Sequence, residues 1–175
     1  MKVNAPSRRK ALQGLAVGMA TLGLGGCGFA LRKAPTFAFQ TVRIAGSSGT
    51  PVARELREAL QANGLQVSTS APPTGSPPAQ VVLTVVTDQR ERVVVGQTAA
   101  GQVRELQLRT RFTFRLRTAE EKSLIENAEL LLERDVSYNE TVVLSKEAEE
   151  AMLYRDMQSD IVQQVMRRLA AVKSL

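Results

Sequence analysis

A strict alternation of side chains over residues 102–118 constrains the fold of this chain more than any other feature of the sequence. Apolar side chains occupy Leu106, Leu108, Phe112, Phe114 and Leu116, whereas polar side chains occupy Glu105, Gln107, Arg109, Arg111, Arg115 and Arg117. Successive side chains of a β-strand point to opposite faces, so this pattern predicts a strand with one face in a core. The other face is predicted to be solvent-exposed and basic.

Similar strand patterns lie on both sides of this strand. Short turns near residues 96–101 and 119–122 separate the three, which predicts antiparallel pairing between neighbours. An earlier strand is predicted within residues 36–45, where Val42 and Ile44 alternate with polar residues. The long strands are predicted over residues 80–95, 102–118 and 123–137, and residues 65–70 offer a further short strand.

Helical periodicity occurs in two segments. Thr50-Pro51 is predicted to begin a helix over residues 50–63, because a hydroxyl caps free backbone N–H groups and proline suits the first helical position. The second helix is predicted from Ser145 to the end of the chain. Its apolar stripe comprises Tyr154, Met157, Ile161, Val165, Leu169 and Val172. The order β-α-β-β-β-α predicts an α+β two-layer sandwich, in which an antiparallel-rich four-stranded sheet carries both helices on one face.

The amino-terminal residues have the pattern of an export signal. Four basic residues and no acid precede an uncharged, mostly apolar run over residues 11–24. As a helix this run would be only about 21 Å long, which is shorter than the roughly 30 Å hydrocarbon core of a bilayer. A removed signal peptide is therefore predicted, and the sequence Ser7-Arg8-Arg9 leaves both general secretion and twin-arginine export open.

The sequence Leu24-Gly25-Gly26-Cys27 resembles a lipobox, and Cys27 is the only cysteine of the chain. A lone cysteine forms no internal disulfide, so a lipid thioether at a processed amino terminus is its predicted use. Several acyl chains would hold the protein firmly in a membrane. The predicted organisation is a signal peptide over residues 1–26, a lipidated tether over 27–35 and a single α+β domain over 36–175.

Charge and residue usage exclude several functions. Removal of the signal peptide leaves 19 of the 23 Lys and Arg residues against 17 Asp and Glu residues, so nucleic acid is not an expected partner. The chain has no histidine and its cysteine is predicted to be acylated, which excludes the usual zinc sites and thiol or serine–histidine catalysis. We expect no enzymatic activity, metal or cofactor. The enzymatic alternative is an acid-pair hydrolase of cell-wall glycan that uses Asp156 and Asp160.

Four arginines on the polar face of residues 102–118 allow two interpretations. They are Arg109, Arg111, Arg115 and Arg117. Guanidinium groups in a row can bind an anionic ligand through bidentate hydrogen bonds. Alternatively, acids at the same parity of the next strand, among them Glu129, Glu133 and Asp135, neutralise them across the ladder. If the hairpin pairs residues whose numbers sum to 242, Arg109 faces Glu133.

Three short sequences, in order along the chain, carry a resemblance to a known family. They are Gly26-Cys27-Gly28-Phe29-Ala30-Leu31-Arg32 at the lipidation site, Gly96-Gln97-Thr98-Ala99 at the predicted hairpin tip, and Leu144-Ser145-Lys146-Glu147 in the last helix, which continues to Arg167-Arg168-Leu169. Together with the order of the elements over nearly all of residues 26–172, they resemble the lipopolysaccharide-assembly lipoprotein family LptE.

The resemblance implies a non-catalytic protein of the outer membrane. It implies a lipid-anchored domain, on the periplasmic side, that plugs the lumen of the large β-barrel LptD and binds lipopolysaccharide in transit to the cell surface. The residue after Cys27 is Gly28, not the aspartate that retains many lipoproteins at the inner membrane, which agrees with this location. The alternative is an accessory lipoprotein of another envelope lipid-transport system, without an obligatory barrel.

The resemblance also implies candidate site residues. Lys146 matches a basic position of the family that contacts lipopolysaccharide, and an ammonium there would meet a lipid A phosphate. The family's other basic position, just before the Gly-Gln-Thr string, holds Val94 in this chain. Arg92 and Arg104 lie nearby and complete the candidate lipopolysaccharide site. The candidate contacts to the barrel are Gly96, Gln97 and Thr98.

Overall fold

The computed structural model describes residues 35–138 and 143–175 of the chain. The elements are β1 (Thr41–Gly46), α1 (Pro51–Ala62), β2 (Gln66–Ser68), β3 (Val81–Gln97), β4 (Val103–Thr118), β5 (Ser123–Ser137) and α2 (Val143–Ala170). The three long strands and the two helices lie where the sequence pattern predicts them. The α+β class is therefore confirmed.

The sheet has five strands in the order β2-β1-β3-β4-β5. The three long strands pair antiparallel, as expected from the short turns between them. The predicted count of four strands is wrong, because the short segment Gln66–Ser68 pairs with Thr41–Arg43 of β1. β1 is parallel to both β2 and β3. The connection from β1 to β2 and the connection from β2 to β3 each return the chain to the end of the sheet where β1 begins.

The core lies between one face of the sheet and both helices. The even positions of β4 from Leu106 to Thr118 face it, and the apolar stripes of α1 and α2 cover it. Its largest fully buried side chains include Phe112, Phe114, Ile44, Leu56, Leu60, Leu83, Ile161 and Leu169. The prediction that both helices pack on one face is confirmed. In the described residues the opposite face of the sheet, here called the open face, is lined by the odd positions of β4.

A register shift in β3 changes which side chains reach the helices. The pairing with β4 slips between Val85 and Thr87. Before the shift, odd positions such as Val85 face the core, whereas after it the even positions of β3 lie opposite the buried even positions of β4. We call the part of the sheet before the shift, where β3 also pairs with β1, the core end. The part after it, which leads to the β3–β4 turn, is the hairpin end.

Asp88 is the first residue to reach the helix side because of this shift. Its Oδ2 accepts a hydrogen bond of 3.0 Å from the backbone N–H of Val52, in the first turn of α1. Thr50 is the N-cap residue of α1, as the sequence predicts, but the predicted role of its hydroxyl is wrong. The Thr50 hydroxyl donates to the carbonyl of Ser47 at 2.7 Å and makes no capping hydrogen bond. A side chain distant in sequence therefore satisfies the start of α1.

Helix α2 spans both ends of the sheet. Its carboxyl-terminal half contributes Ile161, Val165 and Leu169 to the main core. Its amino-terminal half lies over the hairpin end, where Met157 packs with Leu108 and Val136 in a second, smaller cluster. The same helix is thus held by a large apolar core at one end and by a small one at the other.

Candidate functional site

Arg92 is one of the basic side chains that the register shift turns toward α2. Its Nη2 lies 3.2 Å from Oε1 of Glu150, which is only 13% exposed. The guanidinium also lies over the ring of Tyr138, 5.6 Å from the centroid, in cation–π geometry. Arg92 itself is half exposed, so its outer edge remains accessible to a ligand.

Lys146 reaches the same corner from α2. Its Nζ lies 2.8 Å from Oε2 of Glu149 and 3.3 Å from the hydroxyl of Ser137. Lys146 therefore has two polar partners, one on α2 and one at the end of β5. Ser137 and Tyr138 are consecutive residues, so Arg92 and Lys146 contact neighbouring positions at the end of β5.

Arg104 completes this corner through its backbone. Its carbonyl accepts a hydrogen bond of 2.8 Å from the N–H of Tyr138. Its side chain is exposed and, among the described residues, forms no salt bridge. Arg92, Arg104 and Lys146 thus each contact Ser137 or Tyr138, Arg104 through its backbone carbonyl. We call these three residues, with Ser137 and Tyr138, the cation corner.

Next to the cation corner, a polar network joins β3 to both helices. The Arg90 guanidinium donates to Oε1 of Gln158 at 2.7 Å, and Gln158 donates to Glu55 of α1 at 2.6 Å. Arg90 also lies over the ring of Tyr154, 5.1 Å from the centroid. The Tyr154 hydroxyl donates to the carbonyl of Glu91 at 2.6 Å. The spacing of the last helix predicts Tyr154 only as part of an apolar stripe and does not indicate these polar contacts.

The environment of Tyr154 shifts its titration. Burial raises the pKa of the Tyr154 phenol above its usual value of 10.0, and the nearby Glu150 carboxylate raises it further. The guanidinium groups of Arg90 and Arg92 act in the opposite direction but do not offset burial. Because the raised pKa favours the protonated phenol, Tyr154 remains a hydrogen-bond donor to Glu91 at neutral pH.

The candidate barrel contacts lie at the tip of the β3–β4 hairpin. Thr98 closes the turn, since its N–H donates to the Gln102 carbonyl at 2.9 Å and its hydroxyl accepts from the Gln102 N–H at 3.1 Å. Gln97 is exposed and makes no such closing contact. A Cβ at Gly96 would lie 2.9 Å from Cβ of Glu105, so a bulky residue there would disturb the strand pair. Gln97 is therefore the position at which partner contact can be tested separately from folding.

On the open face, the contacts of Arg109 and Arg111 decide between the two interpretations of the arginine row. Arg109 pairs with Glu133 at 3.0 Å, in the register that the sum of 242 predicts. Arg111 pairs with Glu129 at 2.6 Å and lies 3.7 Å from Glu91 of β3. These two arginines are neutralised across the ladder. Asp135 accepts instead from Gln107, at 2.9 Å.

The acids of the enzymatic alternative do not form an enclosed site. Asp156 and Asp160 are both exposed on α2, and Asp160 lies 3.5 Å from Arg134. In residues 35–138 and 143–175, no group of three His, Cys, Asp or Glu side chains is placed to hold a metal ion. Within the same residues, neither helix has the length and apolar character needed to cross a bilayer. Cys27, the signal peptide and the tether up to residue 34 lie outside the described residues.

Comparison with known proteins places the fold in a family. The model of the lipopolysaccharide-assembly family LptE matches residues 37–169. The uncharacterized lipoprotein B from Nitrosomonas europaea is 30% identical with a TM-score of 0.68, over 82% of this chain and 91% of its own. No curated protein matches the chain significantly.

Two further solved structures share the fold. The minor lipoprotein from Acinetobacter baumannii is 22% identical with a TM-score of 0.58, over 78% of this chain and 94% of its own. The rare lipoprotein B from Shewanella oneidensis is 19% identical with a TM-score of 0.60, over 75% of this chain and 94% of its own.

The family match begins before β1 and ends one residue before the end of α2, so it includes every strand of the sheet. The structural likeness at 30% identity extends over a similar share of the chain. The chain therefore belongs to the LptE family of lipopolysaccharide-assembly lipoproteins.

Proposed function

We propose that this protein is anchored to the outer membrane through a lipid on Cys27, occupies the lumen of an LptD-type β-barrel, and binds lipopolysaccharide there during assembly. The family match carries this proposal, since LptE proteins are non-enzymatic lipoproteins of lipopolysaccharide assembly. The cation corner supports a binding role, because basic residues from three elements contact the same two residues, Ser137 and Tyr138, at the hairpin end.

The cation corner suits the phosphates of lipid A. Lys146 pairs with Glu149, whose side chain is 43% exposed, so a phosphate dianion can take the place of that carboxylate. Arg104 offers an exposed guanidinium that has no salt-bridge partner in the described part of the chain. Arg92 is held by the more buried Glu150, so it adds positive potential while keeping its ion pair. Lys146 and Arg104 are therefore proposed as the direct phosphate contacts, and Arg92 as a supporting charge.

The hairpin tip is proposed as the contact to the barrel. Gly96, Gln97 and Thr98 lie where β3 turns into β4. Just before them, Val94 and Val95 are 44% and 48% exposed. Exposed apolar side chains beside this turn favour burial against a partner surface.

The binding role is tested with Lys146→Gln, which removes the charge without placing a second carboxylate beside Glu149. Purified lipopolysaccharide is titrated into the full chain in non-ionic detergent at constant salt. Lys146→Gln is expected to weaken binding about tenfold, the loss expected for one charge-assisted hydrogen bond. Lys173→Gln, an exposed lysine beyond the end of α2, is the matched control and should bind normally. Equal affinity in both variants would contradict the site.

The partner role is tested by co-purification from outer membranes. A large β-barrel is expected to accompany the wild-type protein, and Gln97→Trp should reduce its recovery while leaving the thermal stability of the chain unchanged. Gln163→Trp, at an exposed position of α2, is the control. Recovery of the lipidated protein without any barrel would instead support an accessory lipoprotein of another lipid-transport system.

The anchor has its own test. Mass spectrometry of the mature amino terminus should find acyl chains on Cys27, and Cys27→Ser should leave an uncleaved or soluble product. An unmodified Cys27 in protein extracted from membranes would refute the anchor and the proposed location.

A further inference from the structure

At the core end of the open face, the two remaining arginines of the row differ from Arg109 and Arg111. The pairing of β4 with β5 slips twice after Phe114, so that Arg117 lies opposite Ser123 and no longer follows the sum of 242. Among the described residues, Arg115 has no carboxylate within ion-pairing distance. Arg117 pairs only with Glu121 of the following turn, at 3.0 Å, and this glutamate is 74% exposed.

These two arginines line a hollow of about 300 Å³ together with Ser123, Glu126 and Asn127. The hydroxyl and the amide add hydrogen-bond donors to the two guanidinium groups. Glu126 is the one carboxylate in the lining, and it forms a salt bridge with neither arginine. Apart from Nη1 of Arg117, which pairs with Glu121, the side-chain donors of the hollow have no partner within the described part of the chain.

The Nε of Arg117 adds a second observation. It is buried and has no hydrogen-bond acceptor among the described residues, although Nη1 of the same side chain pairs with Glu121. A buried donor without an acceptor is unfavourable. The position that Arg117 takes to reach Glu121 thus leaves part of its guanidinium unsatisfied. An acceptor in the hollow would draw the side chain away from that position.

A third cation lies in the same row. Arg43 of β1 is aligned with Val82 of β3, which is aligned in turn with Arg117. Neighbouring strands are about 4.8 Å apart, which separates the Cα atoms of Arg43 and Arg117 by roughly 10 Å. Long arginine side chains can cover that distance. Arg43 forms no salt bridge within residues 35–138 and 143–175 either.

We propose that this hollow binds a phosphate group through the guanidinium forks of Arg115 and Arg117, with Ser123 and Asn127 as further donors and Arg43 as a nearby charge. A tetrahedral oxyanion accepts hydrogen bonds from several directions, which matches donors on two strands better than a planar carboxylate does. Binding displaces Glu121 from Arg117. The site lies on the opposite face of the sheet from the cation corner, and it does not depend on the proposed transport function.

The probe is inorganic phosphate, titrated into the full chain in non-ionic detergent with sodium chloride adjusted to constant ionic strength. The arginine Nε–H signals are followed by NMR. Saturable shifts are expected for Arg115 and Arg117, whereas the paired Arg109 should not move. Arg115→Gln should weaken binding about tenfold. Arg109→Gln removes the same charge from the same strand and should leave the affinity unchanged.

A variant with the opposite effect makes the test independent of loss of folding. Glu121→Gln removes the competing carboxylate and should strengthen phosphate binding about two- to fivefold. Arg115→Lys keeps the charge without the bidentate fork and should bind more weakly than the wild type. Absence of saturable shifts, equal shifts at Arg109, or unchanged affinity in Arg115→Gln would each overturn the proposal.

Two further arms identify the source of the phosphate. Vesicles with phosphatidylglycerol are compared with vesicles of phosphatidylcholine alone, and bisphosphorylated lipid A is added in separate micelles. Sensitivity of vesicle binding to Arg115→Gln would identify a phospholipid headgroup, and sensitivity of lipid A binding would identify a phosphorylated saccharide. If only inorganic phosphate responds to the substitution, the site binds the free anion.

Discussion

The two ends of the sheet are covered by the same helix but held in different ways. At the core end, the carboxyl-terminal half of α2 joins α1 over a continuous apolar core that includes Phe114, Leu83 and Leu169. At the hairpin end, the apolar cluster is reduced to Leu108, Val136 and Met157, with a few partly buried neighbours. There, polar contacts of β3 with α2 supply much of the attachment.

This difference separates stability from adaptability. Apolar burial contributes stability in proportion to buried area, so the core end carries most of the free energy of folding. Each polar contact at the hairpin end adds only about 0.5–1.5 kcal/mol and is sensitive to small displacements. We therefore expect the hairpin end to open locally before the chain unfolds. The cation corner and the hairpin tip, both proposed to bind partners, lie at this end.

The largest expected effect comes from the core end. Phe114→Ala removes a fully buried ring between β4 and the helices and should lower the free energy of unfolding by about 3–5 kcal/mol, as measured by urea denaturation. Leu131→Ala, on the exposed part of β5, is the control and should change stability by less than about 0.5 kcal/mol. A loss near that of the control would mean that the core end does not dominate stability.

A smaller effect is expected from the apolar cluster at the hairpin end. Met157→Ala should cost about 2 kcal/mol, the lower end of the range for buried methionine, because few side chains surround it and α2 can shift to fill the space. Hydrogen exchange should quicken in the β3–β4 hairpin while the β1–β3 amides stay protected. Uniform acceleration across the sheet would show that the two ends unfold as one unit.

The contrast between the two ends of the sheet also explains which contacts the sequence pattern predicts and which it does not. The alternation over β4 predicts its buried face and the Arg109–Glu133 pair, because both follow from local parity and a tight turn. β3 is different, since the register shift after Val85 reverses its parity. Its sequence is apolar at both parities near each end, so no local pattern reveals the shift. The contacts of Asp88, Arg90 and Arg92 with the helices therefore could not be predicted.

The candidate site shows the same limit. The sequence indicates Arg92, Arg104 and Lys146 separately. Their common contacts with Ser137 and Tyr138 depend on where β5 ends beneath α2. Tyr154 could not be identified as a hydrogen-bond donor from the sequence, because a tyrosine in an apolar stripe has the same spacing whether its hydroxyl has a partner or not. The two register shifts between β4 and β5 have a similar effect. They separate Arg115 and Arg117 from the acids of β5 that pair with Arg109 and Arg111.

The polar attachment of the hairpin end is tested by Tyr154→Phe. Loss of the hydrogen bond to the Glu91 carbonyl should cost about 1 kcal/mol at pH 7. The pKa of Tyr154 is raised in the folded protein, so the stability gained from the protonated phenol is complete below pH 10 and is lost as the pH rises through the folded value. The difference between the wild type and the variant should therefore shrink above pH 10. A difference that grows with pH would contradict the buried, protonated phenol.

The smallest effect is expected on the open face, where Arg109→Gln tests the ladder pair directly. Loss of the ion pair with Glu133 should lower the free energy of unfolding by about 0.2–1 kcal/mol, because both side chains are partly solvated. Added salt screens such a pair, so the difference from the wild type should decrease between low and high ionic strength. Arg115 has no carboxylate partner among the described residues, so Arg115→Gln should show no such salt-dependent loss. If Arg115→Gln instead destabilises the chain as much as Arg109→Gln, the core end of the arginine row is also engaged in ion pairs, and the distinction between its two halves fails.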